Sequence, residues 1–203
     1  ILSAFDNEPS AILVGTQMVA KGHDFPEVTL AAILDADATL RFPDFRAEER
    51  TFSLVTQLAG RSGRSKAGGR VIVQTLAPGS PSISHASTHD SAGFLAGELD
   101  RRRELGYPPF SHLIRIQLAA EEEPEVERAS NLVAARLDEA LPAGADLLGP
   151  APMFRARNRY RRRLLVRSTT RTESIDAVHS TIEDLLAGKA LRKITLAIDV
   201  DPQ

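Results

Sequence analysis

The chain has 203 residues, 42% of them hydrophobic and 26% charged, an ordinary globular composition with enough length for two small cores. There is no cysteine, which excludes disulfides and a thiolate zinc site within these residues, and the five histidines are scattered without metal-ligand spacing. Apolar runs such as VTLAAIL are far too short to span a bilayer and the start at Ile1 lacks a signal peptide, so the reading is a soluble, cytoplasmic piece of a longer chain.

The opening third alternates strand and helix. AILVGT, residues 11–16, is a short apolar run ending in small polar residues, which predicts a buried strand and a functional loop; VTLAAILDAD repeats the form and ends in Asp35 and Asp37. An acidic start followed by Phe52, Leu54, Val55 and Leu58 predicts a helix from Ala47 to Leu58, and GGRVIVQT a third strand entered through a glycine turn. The expectation is a parallel α/β sheet with ligands at the carboxyl ends of its strands. The turn-rich LAPGSPS ends this part, at residues 1–82. One helix up to Gly106 then bridges, with its linker, residues 83–110.

From Ser111 to residue 203 the pattern changes. HLIRIQLAA, a helix from Pro124 to Leu141, DLLGPAP, RRLLVRS, a helix over ESIDAVHSTIEDLLAG and KITLAIDVD follow in the order β-α-β-β-α-β, the split, ferredoxin-like arrangement.

A net charge of -2 conceals strong segregation. Eight arginines, Arg155, Arg157, Arg159, Arg161, Arg162, Arg163, Arg167 and Arg171, fall in a span from Leu147 to Thr172 that contains no acid. If FRARNRYRRRLLVR forms a hairpin, Arg155, Arg157 and Arg159 point to one face, with Arg161 beyond them and Tyr160 able to stack on a base or ribose. Alternatively, arginine stems cover an apolar sheet edge. The absence of neighbouring acids favours DNA.

QLAGRSGR closes the helix with Gln57, Arg61 and Arg64. Its two guanidiniums can project beyond the core and grip phosphate oxygens, or can simply be a solvated basic helix end suited to the macrodipole. GTQMVAKGHDF, Gly15 to Phe25, follows the first strand, where such a sheet places a ligand loop. It supplies glycines for close approach, the polar Thr16 and Gln17, and the opposite charges of Lys21 and Asp24; His23 is a further polar contact.

GTQMVAKGHDFPEVTLAAILDADATLRFPDFRAEER followed by TQLAGRSGR resembles motifs V and VI of superfamily 2 helicases, and specifically of the PriA family of primosomal replication-restart helicases. The resemblance extends through YPPF, GPAP, RYRRRLLVR and DVDP. It implies that residues 1–82 are the later part of a second RecA-like helicase lobe and residues 111–203 an S10-like DNA-binding domain. On these positions it places Arg64 as arginine finger with Arg61 second, Gln57 on the ATP side of an interlobe cleft, Gly22 and Asp24 at the nucleotide edge of motif V, and Thr16 coupling that edge to single-stranded DNA. Asp35 and Asp37 are assigned structural or interlobe roles.

The implied activity is ATP-dependent 3′ to 5′ unwinding at stalled or branched forks and promotion of primosome assembly. The implied partners are forked and single-stranded DNA, single-stranded-DNA-binding protein and primosome loading proteins. No Gly-rich phosphate loop or Asp-Glu box occurs in these residues, so ATP and Mg²⁺ would be held mainly by another lobe, and the family's zinc ligands would also lie elsewhere. This part alone is therefore not expected to hydrolyse ATP. The alternatives are a relative with a degenerate ATPase that binds forks and recruits partners, or an RNA-binding module suggested by the S10-like fold alone.

Overall fold

The computed structural model describes residues 10–16, 28–60 and 69–202, together with Ser3, Phe5, Asn7 and Glu8. The protein is mixed α/β, with a two-stranded and a four-stranded sheet among the described residues. It divides into two compact units, residues 1–99 and 100–203.

In the first unit, β1 (Leu30–Ile33) runs parallel to β2 (Arg70–Val73), with Leu30 opposite Arg70 and Ile33 opposite Val73. Between them come α1 (Asp37–Leu40) and α2 (Ala47–Ala59). The apolar stripe of α2 buries Phe52 and Val55 against Ile33, Ala36 and Phe94, as the helical period requires. The rings of Phe52 and Phe94 stack with centroids 4.2 Å apart. Asp37 is buried and accepts hydrogen bonds from Thr75 Oγ1 (3.1 Å) and the Leu76 N–H (2.8 Å), tying α1 to the exit of β2.

Two expectations for this unit need correction. Residues 11–16 form no strand, and Ile12 and Val14 are 89% and 81% exposed. A short apolar run becomes a strand only where a neighbour completes its hydrogen bonds, and among the described residues β1 pairs only with β2. The single bridging helix is instead two, α3 (Pro81–Ser87) and α4 (Ser91–Leu105). They are separated at His89, whose φ is 56°, and Asp90. The Asp90 carboxylate accepts the Gly93 N–H at 2.8 Å and lies 2.9 Å from His85 Nδ1. An aspartate that satisfies an exposed helix-start donor begins a new helix rather than continuing the old one. Those two bonds, that of Gly93 foremost, lower its pKa. α4 ends as expected at Gly106, whose φ of +64° suits a glycine stop.

In the second unit, β3 (His112–Ala120), α5 (Glu123–Ala140), β4 (Asp146–Ala156), β5 (Arg159–Ser168), α6 (Arg171–Ala187) and β6 (Thr195–Val200) follow in the expected β-α-β-β-α-β order. The strands lie β4-β5-β3-β6, each antiparallel to its neighbours. Because strand side chains alternate, Ile114, Ile116 and Leu118 of β3 and Leu164 and Val166 of β5 enter the core. There they meet Val126, Val133 and Leu137 of α5 and Val178, Ile182 and Leu185 of α6. The odd-numbered residues of β3 and β5 face the other way, onto the sheet surface that neither helix covers. No helix among the described residues is long and apolar enough to cross a membrane.

Candidate nucleic-acid interface

The basic segment is the β4–β5 hairpin. Ala156 pairs with Arg159, leaving Arg157 and Asn158 as a two-residue turn with φ of 50° and 60°. Two positive φ values define a type I′ turn, whose twist matches that of the flanking strands. Arg157 is thus exposed at the tip.

This geometry corrects the expectation that Arg155, Arg157 and Arg159 share one face. Arg157 belongs to the turn, and a register shift between Met153 and Ala156 inserts an extra residue before it. Arg155 is carried to the side of Tyr160, where its guanidinium carbon sits 4.5 Å from the ring centroid. Tyr160 packs against the core, and its ring is engaged by Arg155.

A different row forms instead. Arg159, Arg161 and Arg163 recur at every second residue of β5, and in register beside them on β3 lie Ala119, opposite Arg161, and Gln117, opposite Arg163, followed by Arg115. Arg159 donates to Thr195 Oγ1 and lies 3.5 Å from Glu121; Arg161 donates to Gln117 Oε1 at 3.4 Å; Arg115 is paired with Asp199 at 2.6 Å. The side chains of Arg157 and Arg163 have no hydrogen-bond or ion-pair partner among the described residues. Polar groups from three strands hold this surface; Glu121 and Asp199 pair with Arg159 and Arg115, while Arg161 and Arg163 meet no acid among the described residues.

The remaining arginines correct the inference drawn from the acid-free stretch. Arg162 points to the helical side and meets Glu127 of α5 at 2.9 Å, Arg167 meets Asp146 at 2.6 Å, and Arg171 meets Asp201 at 3.0 Å. Acids remote in sequence arrive through the fold. At Asp201, partial burial pushes the carboxyl upward, but the Arg171 hydrogen bond, the Leu113 N–H and the charges of Arg171 and His112 prevail and hold its pKa below the ordinary aspartate value.

In the first unit, Gln57 is half-buried near the end of α2, and Thr16 is exposed in an irregular segment. Gly22, Asp24, Arg61 and Arg64, with Gln17, Lys21 and His23, lie outside the described residues. Sequence reasoning also passed over Arg163, Arg115, Gln117 and Phe154. The signal for Arg163 was present, since period-two spacing through Arg159, Arg161 and Arg163 is the strand period; that for Arg115 and Gln117 was not, because only strand pairing places them beside β5.

Residues 103–203 match the family model of the Primosomal protein N C-terminal domain. Over its whole length the chain is 37% identical to Replication restart protein PriA of Bacillus subtilis. The chain belongs to the PriA family. It is also 38% identical over 209 residues to PriA of Synechocystis sp., and 38% identical over 195 residues to PriA of Thermotoga maritima, where 94% of this chain is covered. The chain spans about a quarter of the length of these PriA relatives, 25%, 24% and 24% in turn.

Proposed function

We propose that this chain is the C-terminal, DNA-engaging part of a PriA-type replication-restart helicase, and that its second unit holds branched DNA at stalled forks. The observation that supports this most directly is the row Arg159, Arg161 and Arg163 on the uncovered sheet face, with Arg157 at the hairpin tip. Guanidinium forks at the strand spacing suit successive phosphates, and such contacts give affinity without reading sequence. The β-α-β-β-α-β order accords with an S10-like domain over residues 111–203.

The parallel pair β1–β2, with helices between its strands, accords with residues 1–82 being the later part of a RecA-like lobe. In the complete enzyme Gln57, Gly22, Asp24, Arg61 and Arg64 contribute to an ATP site whose phosphates and Mg²⁺ are held mainly by the other lobe, while zinc is bound outside these residues. Arg64 stabilises the charge on the transferred phosphoryl group, Arg61 supports it, and Thr16 links the nucleotide state to single-stranded DNA. The motor unwinds DNA 3′ to 5′ in the cytoplasm and, with single-stranded-DNA-binding protein and primosome loading proteins, restores replication.

Fluorescence anisotropy of this chain with a forked DNA and a plain duplex of equal length, across salt concentrations, tests the DNA reading. Fork preference that persists as salt rises is expected, whereas absence of binding overturns the proposal. In a full-length protein, Arg64→Ala is expected to abolish DNA-stimulated ATPase with DNA affinity retained; unchanged turnover refutes the finger. Fork binding by a wild-type protein without ATPase would identify a recruiter instead.

A further inference from the structure

Phe154 is 94% exposed, the most exposed of the described large apolar side chains. It stands near the end of β4, inside the register shift between Met153 and Ala156, beside Arg155 and three residues before Arg157 and Asn158 complete the turn. A phenyl ring in this position adds almost nothing to the core, yet the bulge that displaces it is built into the ladder, a device that re-aims side chains. The surrounding charge specifies what would cover it. Arg155 and Arg157 lie close to it in sequence; an arginine there pairs with phosphate oxygens, while the ring offers an apolar stacking surface that any nucleobase can use.

The alternatives for stacking are few. The uncovered face of the sheet presents Arg159, Arg161, Arg163, Arg115 and Gln117, which offer polar contacts but no aromatic platform. Tyr160 packs on the core and carries Arg155 against its ring. Resting on the DNA reading above, we infer that Phe154 stacks on the open face of the base pair, or single base, that terminates a duplex at a branch point. One ring near the end of β4 serves one base, and continuous duplex shields its base faces. A junction exposes one, with a neighbouring phosphate for Arg157 at the turn.

The test uses the 203-residue chain, a forked DNA carrying 2-aminopurine at the junction, and an equal-length duplex with the same base internal. Wild type is expected to change the junction fluorescence and bind the fork more tightly. Phe154→Ala should lose the fluorescence change and roughly tenfold of fork affinity, with duplex affinity and salt slope preserved because no charge is removed. Phe154→Tyr should restore both. Fork affinity in Phe154→Ala equal to wild type, or an equal loss on fork and duplex, would overturn the inference while leaving DNA binding intact. Failure of wild type to bind either DNA would remove the underlying functional reading together with it.

Discussion

Arg162 Nη2 lies 2.9 Å from Glu127 Oε1, so an arginine in the middle of the basic run is committed to the helix packed behind it. Its side chain is only 16% exposed. Arg162→Ala should therefore destabilise the second unit by about 1 kcal/mol, a figure reduced for the solvent access of Glu127. That corresponds to a thermal midpoint lower by roughly 5 °C. DNA affinity should stay at the wild-type value. A variant that melts normally and loses DNA binding would instead assign Arg162 to the interface.

Arg157 and Arg163 should behave in the opposite way, since neither side chain has a partner among the described residues. Replacing both by alanine should leave the melting temperature unchanged. The logarithmic salt slope of duplex binding should fall by about 0.9 for each phosphate contact removed. Titrations at several salt concentrations measure it, and an unaltered slope would exclude both residues from the backbone contact.

Gly149 has a φ of +103°, and a Cβ there would lie 2.6 Å from the Arg163 carbonyl oxygen and 3.0 Å from the Ala151 nitrogen. The clash is with backbone, which cannot swing aside as a long side chain can. Gly149→Ala is expected to cost roughly 2 to 3 kcal/mol through this strained position. The urea midpoint should fall at an unchanged slope. Because the obstructed carbonyl belongs to Arg163, DNA binding should weaken as well. A midpoint equal to wild type would show that the β4 bulge tolerates a side chain.

Asp201 gives a pH-dependent prediction. Its folded pKa is depressed, because the bonds from Arg171 and the Leu113 N–H, with the nearby charges, outweigh the burial that pushes it up. A depressed carboxyl contributes stability that is fully present above the unfolded aspartate value of about 3.9 and lost as pH falls through the lower folded value. Asp201→Asn should lower the midpoint near neutrality. The gap to wild type should narrow as the pH falls through the depressed folded value, where the wild-type carboxylate also becomes protonated. A gap independent of pH would mean that charge plays no part.

Much of the second unit was legible in its local patterns. HLIRIQLAA coincides with β3, Pro124–Leu141 differs from α5 by a single residue at either end, and Gly106 ends its helix. These features depend on near neighbours alone: the period-two alternation of a half-buried strand, the apolar stripe of a helix, the backbone freedom of one glycine. Where the outcome hung on a distant partner, reading failed. Residues 11–16 have the composition of a strand and no ladder among the described residues to join, and the bridging helix breaks where Asp90 caps a new one.

The same division runs through the candidate interface. By itself the sequence determined that eight arginines share a segment with strand periodicity, and that the chain resembles PriA helicases. Only the tertiary structure decided which of them face outward. It sends Arg162, Arg167 and Arg171 to Glu127, Asp146 and Asp201, and leaves Arg157 and Arg163 unpaired among the described residues. The reason is that side-chain direction follows from the strand's own period, whereas charge pairing is a through-space property set by which distant elements the core packs together.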